Sequence, residues 1–299
     1  MMRITYSLLS IELSLILLTG CSFIKVFEEG SQGDDLYASV QEYTGEGFYL
    51  PNSSKEITEI ANKHKEEITK AVEDFFISNY KTPVTVHNLV GAQDGVSVFV
   101  ESKGEPHFYT LAIVPVYITE EKVHLKEVRS LEGKIEEAIA TGLYGMINKD
   151  QFKELNRYLS EVQGSYPVTG KRIEAIQKTS PNGFGKSEYY TTSLDETLDE
   201  LAIQYIQDPI KTKELIEKGN IPKVDPEKFI ITIQLFMEDK SAAPNQEILD
   251  SIVSGIKNNS KLPRGVYSII LNDNRISKRT GVGEKNNSLI TTEDSIILR

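Results

Sequence analysis

Apolar positions recur at helical spacing after Asn52. Ile57, Ile60, Ala61, His64, Ile68, Ala71, Val72, Phe75 and Phe76 share one stripe, and Ser53 with Glu56 has the form of a capping box. The pattern predicts one helix of about seven turns, closed off by Pro83, whose ring cannot continue it. Three runs with strand character follow: VTVHNLV, VSVFVES and HFYTLAIVPVYI. AQDG at 92–95 and SKGE at 102–105 are turn signals between them, so a helix leads into an antiparallel meander.

Two further amphipathic helices are written in Leu131, Ile135, Ala138, Ile139, Leu143 and Met146, and in Phe152, Leu155, Tyr158, Leu159 and Val162, with a break at 148–150. From Gly164 to Thr192 the pattern is interrupted by Gly, Pro, Ser and Thr, which places a domain boundary near residue 170. Beyond it, Ser193 and Glu196 form a second capping-box pattern before Leu194, Leu198, Leu201, Ala202, Tyr205 and Ile206. Pro209 interrupts that helix, and Gly219 is placed to cap its continuation. FIITIQLFM, 229–237, is apolar on both faces and suits a central strand. A helix on Ile248, Leu249, Ile252, Val253 and Ile256 follows, then strands in GVYSIIL and SIIL. The expected class is α+β, in two domains at 46–170 and 171–299, each with helices packed on a mainly antiparallel sheet.

The N-terminus has a different pattern. Residues 1–20, MMRITYSLLSIELSLILLTG, carry Arg3 near the start, an apolar run interrupted by Glu12, and small residues at Thr19 and Gly20, the outline of a signal peptide. Leu18-Thr19-Gly20-Cys21 resembles a lipobox, where a bacterial lipoprotein is diacylated on cysteine, with palmitate-type chains, and cleaved before it. Cys21 is the one cysteine of the 299-residue chain, so no disulfide can form within it. Residues 21–45, mixed and acidic, read as a flexible tether. The implied location is the cell membrane, lipid-anchored, on the extracytoplasmic face.

Composition narrows the partners. Lys plus Arg total 33 against 44 Asp plus Glu, a formal charge of -11, which excludes a phosphate backbone as the natural ligand. After residue 25 no apolar stretch reaches the ~20 residues needed to cross a bilayer, which leaves the lipid on Cys21 as the membrane contact.

Three segments together, QEYTGEGFYLPN, FFISNYKTPVTVHNLVGAQDGVSVFVESKGEPHFYTLAIVPV and EEAIATGLYGMI, resemble a family of Gram-positive lipoproteins grouped as a domain of unknown function, with GEPHFYT after DGVSVFVES as the specific part. The resemblance covers most of the mature chain and carries no catalytic residues to transfer. The helix-then-meander half is also similar to cystatin-like modules, a likeness of fold that carries no function.

Candidate chemistry is sparse. SPNGFGKS, 180–187, approaches a phosphate loop, but Ser180 stands where the first glycine belongs and EYYTTS, not a helix, follows, so a flexible turn is expected. Ser254 and Lys257 match Ser-x-x-Lys, and Arg279-Thr280-Gly281 is a faint echo of its Lys-Thr-Gly partner. The 25 residues between them cannot hold the intervening domain, and one turn of a surface helix is expected. None of His64, His87, His107 and His124 has the spacing of a metal-ligand pair, although His87 and His107 could converge from adjacent strands. Asp195, Glu196, Asp199 and Glu200 read as a solvated helix face. No catalytic, cofactor-binding or metal-binding residue is assigned, no cofactor is expected, and Cys21 is the one site residue, for lipidation. The expectation is a non-enzymatic module that binds a protein, peptide or cell-wall partner, with an exposed meander edge for docking. The alternative is a cell-envelope hydrolase with carboxylate catalysis.

Overall fold

A computed structural model describes residues 36–299 apart from Asp94, Ser180, Pro181, Pro222 and residues 292–295. The expected signal segment, Cys21 and the tether as far as Asp35 lie outside the described residues. The last ten residues of the expected tether are built into the body. β1 (Tyr37–Ser39) pairs antiparallel with β11 (Arg275–Ser277), and Val40 and Tyr43 are buried behind it.

The single long helix expected after Asn52 is two, α1 (Lys55–Lys63) and α2 (Lys65–Tyr80), broken at His64. The cap is Ser54 rather than Ser53: its hydroxyl accepts from Ile57 N at 3.2 Å. The break has a packing reason. It lets α1 lie against the end of β2 (Val84–Ala92), where Gly91 N donates to Thr58 Oγ1 at 3.0 Å, while α2 packs across the sheet through Ile68, Val72 and Phe76.

β2, β3 (Gly95–Ser102), β4 (Tyr109–Tyr117) and β5 (Lys122–Val123) form the expected antiparallel meander in the order β2-β3-β4-β5. α3 (Lys134–Ile147) and α4 (Lys149–Ser165) follow, breaking at Asn148 as expected.

The second sheet has seven strands among the described residues. Its path is β12 (Leu289–Ile290), β10 (Gly265–Asn272), β9 (Phe229–Met237), β8 (Tyr189–Ser193) and β7 (Gly185–Lys186), with β13 (Ile296–Leu298) on β10 and β6 (Val168–Thr169) on β9. It is mixed, because β9 and β10 run parallel: α8 (Gln246–Asn258) connects them, and only a crossover of that kind returns the chain in the same direction. β9 is the central strand its apolar run implied, with Phe229, Ile231, Ile233 and Leu235 fully buried. The remaining helices are α5 (Ile173–Thr179), α6 (Glu196–Gln207) and α7 (Pro209–Glu217). The cap of α6 is Asp195 rather than Ser193. Its carboxylate accepts from Thr197 N at 2.8 Å and Leu198 N at 3.3 Å.

The class is α+β, in one body. Leu36–Arg299 form one compact unit, and one buried core runs from Ile57 to Ile296 through both halves. The expected boundary near residue 170 does not separate two cores, since the segment carrying it contributes α5 to the meander's outer face and β7 and β8 to the second sheet. Tyr109 and Gly183 bridge the sheets directly, each N–H donating to the other's carbonyl at 2.9 and 2.8 Å.

Candidate functional site

β2 carries a bulge. Val86 pairs with Val100 and Asn88 with Phe99, leaving His87 as the extra residue. It sets His87 and Asn88 on the face of the meander that bears Glu101. Asn88 Nδ2 donates to the carbonyl of Lys178, at the end of α5, at 2.9 Å. His87 Nε2 lies 2.8 Å from Glu101 Oε2, and His107, just ahead of β4, places its Nε2 2.9 Å from Oε1. Gln177 on α5 adds Nε2 to Oε2 at 3.1 Å. The two histidines left open as a convergent pair do converge, on a glutamate that nothing in the sequence distinguished from the other acids.

These side chains are mostly out of water, His87 17%, Glu101 22% and His107 26% exposed. Hydrogen bonds from His107, then His87, hold the Glu101 carboxyl far below the usual carboxylate range, against burial and with help from Gln177. An ionised carboxylate only accepts, so both Nε2 atoms carry the hydrogen. Tyr109, opposite Glu101 across the strands, has its hydroxyl pushed well up, by burial first and then by the Glu101 charge and hydrogen bond. The cluster is closed on itself. Among the described residues no group of three or more His, Cys, Asp or Glu is arranged to hold a metal ion.

Beside the cluster a crevice of about 20 Å³, lined among others by Tyr109, Lys171, Tyr190 and Gln234, has room for about one water. Lys171 is partly exposed along its length, but its ammonium end is buried and donates to the Gly281 carbonyl at 2.9 Å; that burial pulls its pKa down to about 8.

The motifs weighed in the sequence go elsewhere. Gly185 and Lys186 form β7 of a hairpin with β8, an ordered strand rather than a loose turn, and no helix follows to hold a phosphate. Ser254 and Lys257 are exposed on α8. His64 caps the helix break, 2.8 Å from Glu67. His124 reaches Glu127 through Nδ1 at 3.0 Å and stands edge-on to Tyr117, with Nε2 buried and without a partner. Glu196, Asp199 and Glu200 are exposed on α6.

A larger concavity, about 630 Å³, runs between α2 and the start of β2, lined by residues that include Lys70, Glu73, Ile77, Pro83, Val84 and Lys103. Four of its charges are paired, Lys70 with Asp74 at 2.8 Å and Lys103 with Glu73 at 3.3 Å, while Lys65 and Glu66 also line it. Ile77 is 51% exposed there. The periodicity put Ile77 off the buried stripe, and that was its one sequence signal.

Comparison with known proteins gives a family and a fold. The family model described as "Protein of unknown function (DUF1672)" matches residues 30–299. The crystal structure of a DUF1672 family protein from Staphylococcus aureus subsp. aureus Mu50 is similar with a TM-score of 0.67 at 21% identity, over 88% of this chain and 98% of that one. At that identity the likeness is one of fold. No curated protein matches the chain.

Proposed function

Because the chain belongs to the DUF1672 family, whose description assigns no activity, we propose a role from its own residues: an extracytoplasmic lipoprotein, held on the cell membrane by a diacylglyceryl group on Cys21, whose body binds a protein, peptide or cell-wall partner without catalysis. The observation that carries it is the order along the chain, an apolar segment with a basic start, then Leu18-Thr19-Gly20-Cys21, then a folded body from Leu36. No helix among the described residues is long and apolar enough to cross a membrane. Glu101 itself lends the hydrolase alternative no support, since a carboxylate saturated with donors from His107, His87 and Gln177 is a poor base. The groove beside α2 supplies an accessible surface instead. The cystatin-like likeness of the first half, α2 laid over the meander, is proposed as one of fold alone.

Mass spectrometry of the mature N-terminus from a bacterial host tests the anchor. The expected chain begins with a diacylated Cys21, and Cys21→Ala loses the lipid, because only the thiolate accepts the diacylglyceryl group. A mature chain that begins elsewhere, or an unlipidated Cys21, overturns it.

A further inference from the structure

We infer that Lys171 anchors a small anion site, in which the crevice shared by Lys171 and Gln234 takes one monatomic anion of the halide class, chloride being the common one. The starting observation is a cation the fold leaves uncompensated. Lys171 Nζ is buried and donates to one acceptor, the Gly281 carbonyl at 2.9 Å, although an ammonium has three hydrogens to place. Burial pulls its pKa down to about 8, and among the described residues no carboxylate acts on it. Lys285, in the same loop as Gly281, shows the usual arrangement: 20% exposed, it meets Asp273 at 2.7 Å. Buried charges are normally paired with opposite ones, and at Lys171 the chain brings none.

The lining of the crevice has the matching sign. It holds two lysines, Lys171 and the exposed Lys186, and no acid, in a chain whose acids outnumber its bases 44 to 33. Gln234 on β9 adds a neutral donor. It is 8% exposed, and among the described residues its side-chain amide has no hydrogen-bond partner. The hydroxyls of Tyr109, Tyr189 and Tyr190 in the same lining are pushed up by burial and stay neutral; the carboxylates that act on them, Glu101, Glu188 and Glu284, do not act on Lys171.

The walls are fixed and the volume selects the ligand. Lys171 N donates to Ser187 O at 2.9 Å, and a Cβ on Gly170 would stand 2.6 Å from that carbonyl, so this stretch is clamped to the hairpin of β7 and β8. Gly281 is backed against Thr179 of α5, whose hydroxyl lies 2.8 Å from where its Cβ would be. About 20 Å³ admits a species the size of one water. Phosphate, sulfate and carboxylates are too large. Water fits but brings no charge, whereas a halide meets both the volume and the ammonium.

The test unfolds the full-length protein in detergent by heat at pH 7 in rising sodium chloride, with ionic strength held constant by sodium gluconate, whose anion is too large for the crevice. The site predicts a saturable rise in Tm of about 2–4 °C. Because only the protonated amine pairs with the ion, binding weakens by about tenfold from pH 7 to pH 9. Chloride NMR line broadening reads binding without unfolding, and crystals soaked in bromide locate the ion by anomalous scattering, expected within hydrogen-bond distance of Lys171 Nζ. Lys171→Met, which keeps the length and removes the charge, loses the Tm rise, the broadening and that bromide peak. Bromide at scattered surface positions alone, an adventitious ion only, overturns the site, as does a chloride effect that Lys171→Met retains or that gluconate reproduces. If Lys171→Met does not fold, the bromide position and the pH dependence in the unaltered protein decide in the same way.

Discussion

Glu101 shows how much one side chain can depend on neighbours that strand register and packing bring to it, here six, 14 and 76 positions away. Its carboxylate collects donors from β2, from the segment ahead of β4 and from α5, joining the meander to the helix that covers its outer face. Because its folded-state pKa lies below the ordinary 4.5, the unfolded chain takes up a proton first on acidification. The contribution is complete above the ordinary value and is lost as pH falls from there toward the folded one. Glu101→Gln keeps the shape but turns an amide toward the histidine N–H groups. It is expected to destabilise by about 1–3 kcal/mol at neutral pH and to flatten the stability loss between about pH 4.5 and 2. Denaturant unfolding of both proteins across that range checks it, and parallel acid limbs would show that Glu101 is not the titrating group. His87 and His107 could be singled out beforehand because imidazoles are few. Glu101 could not, since what distinguishes it is a register and a bulge.

At the scale of elements, periodicity located the helices and main strands because a buried stripe must repeat at 3.6 or 2 residues. It misplaced what the stripe does not encode. The break at His64 leaves the pattern almost continuous, and both helix caps fell one or two residues from their expected positions. The parallel pairing of β9 with β10 follows from the α8 crossover rather than from either strand. Gly91 is the position where α1 and β2 meet closest. Gly91→Ala forces the Ser54 carbonyl aside and is expected to destabilise by about 1–3 kcal/mol, with faster amide exchange across Leu89–Gly91. Gly164→Ala, in α4 with open space about it, is the matched control and should stabilise by up to about 1 kcal/mol. Equal effects at the two positions would show that the α1–β2 contact is slack.

For the molecule as a whole, aromatic packing ties the halves together. Tyr144 on α3 stacks on Phe229 of β9 at 3.7 Å between ring centres, and Phe152 on α4 lies 5.8 Å from Tyr189 of β8. Both pairs reach across the boundary that Gly, Pro and Ser suggested near residue 170. Limited proteolysis of the intact chain is therefore expected to leave one resistant fragment beginning near Leu36, with a single cooperative unfolding transition. Two stable fragments divided within 164–192 would mean that the shared core is not what holds the halves. On the N-terminal side, β1 against β11 and the Tyr43 hydroxyl donating to Lys278 O at 2.9 Å pin residues 37–43 to the body, so protection should begin there.

The sequence alone determined the α+β class, the meander, the helices that cover it, the apolar central strand β9 and the likeness to a family of unknown function. Each is a local statement, set by residues close along the chain and by the period at which they bury. Only the tertiary structure decided that the halves share one core, that the second sheet is mixed, and that His87 and His107 meet on Glu101. Those depend on how strands and helices meet in space, whether the residues are six positions apart, as His107 and Glu101, or seventy-six, as Gln177 and Glu101. A one-residue shift in strand register changes which side chains share a face and which backbone groups point outward, and composition and spacing are nearly blind to such a shift.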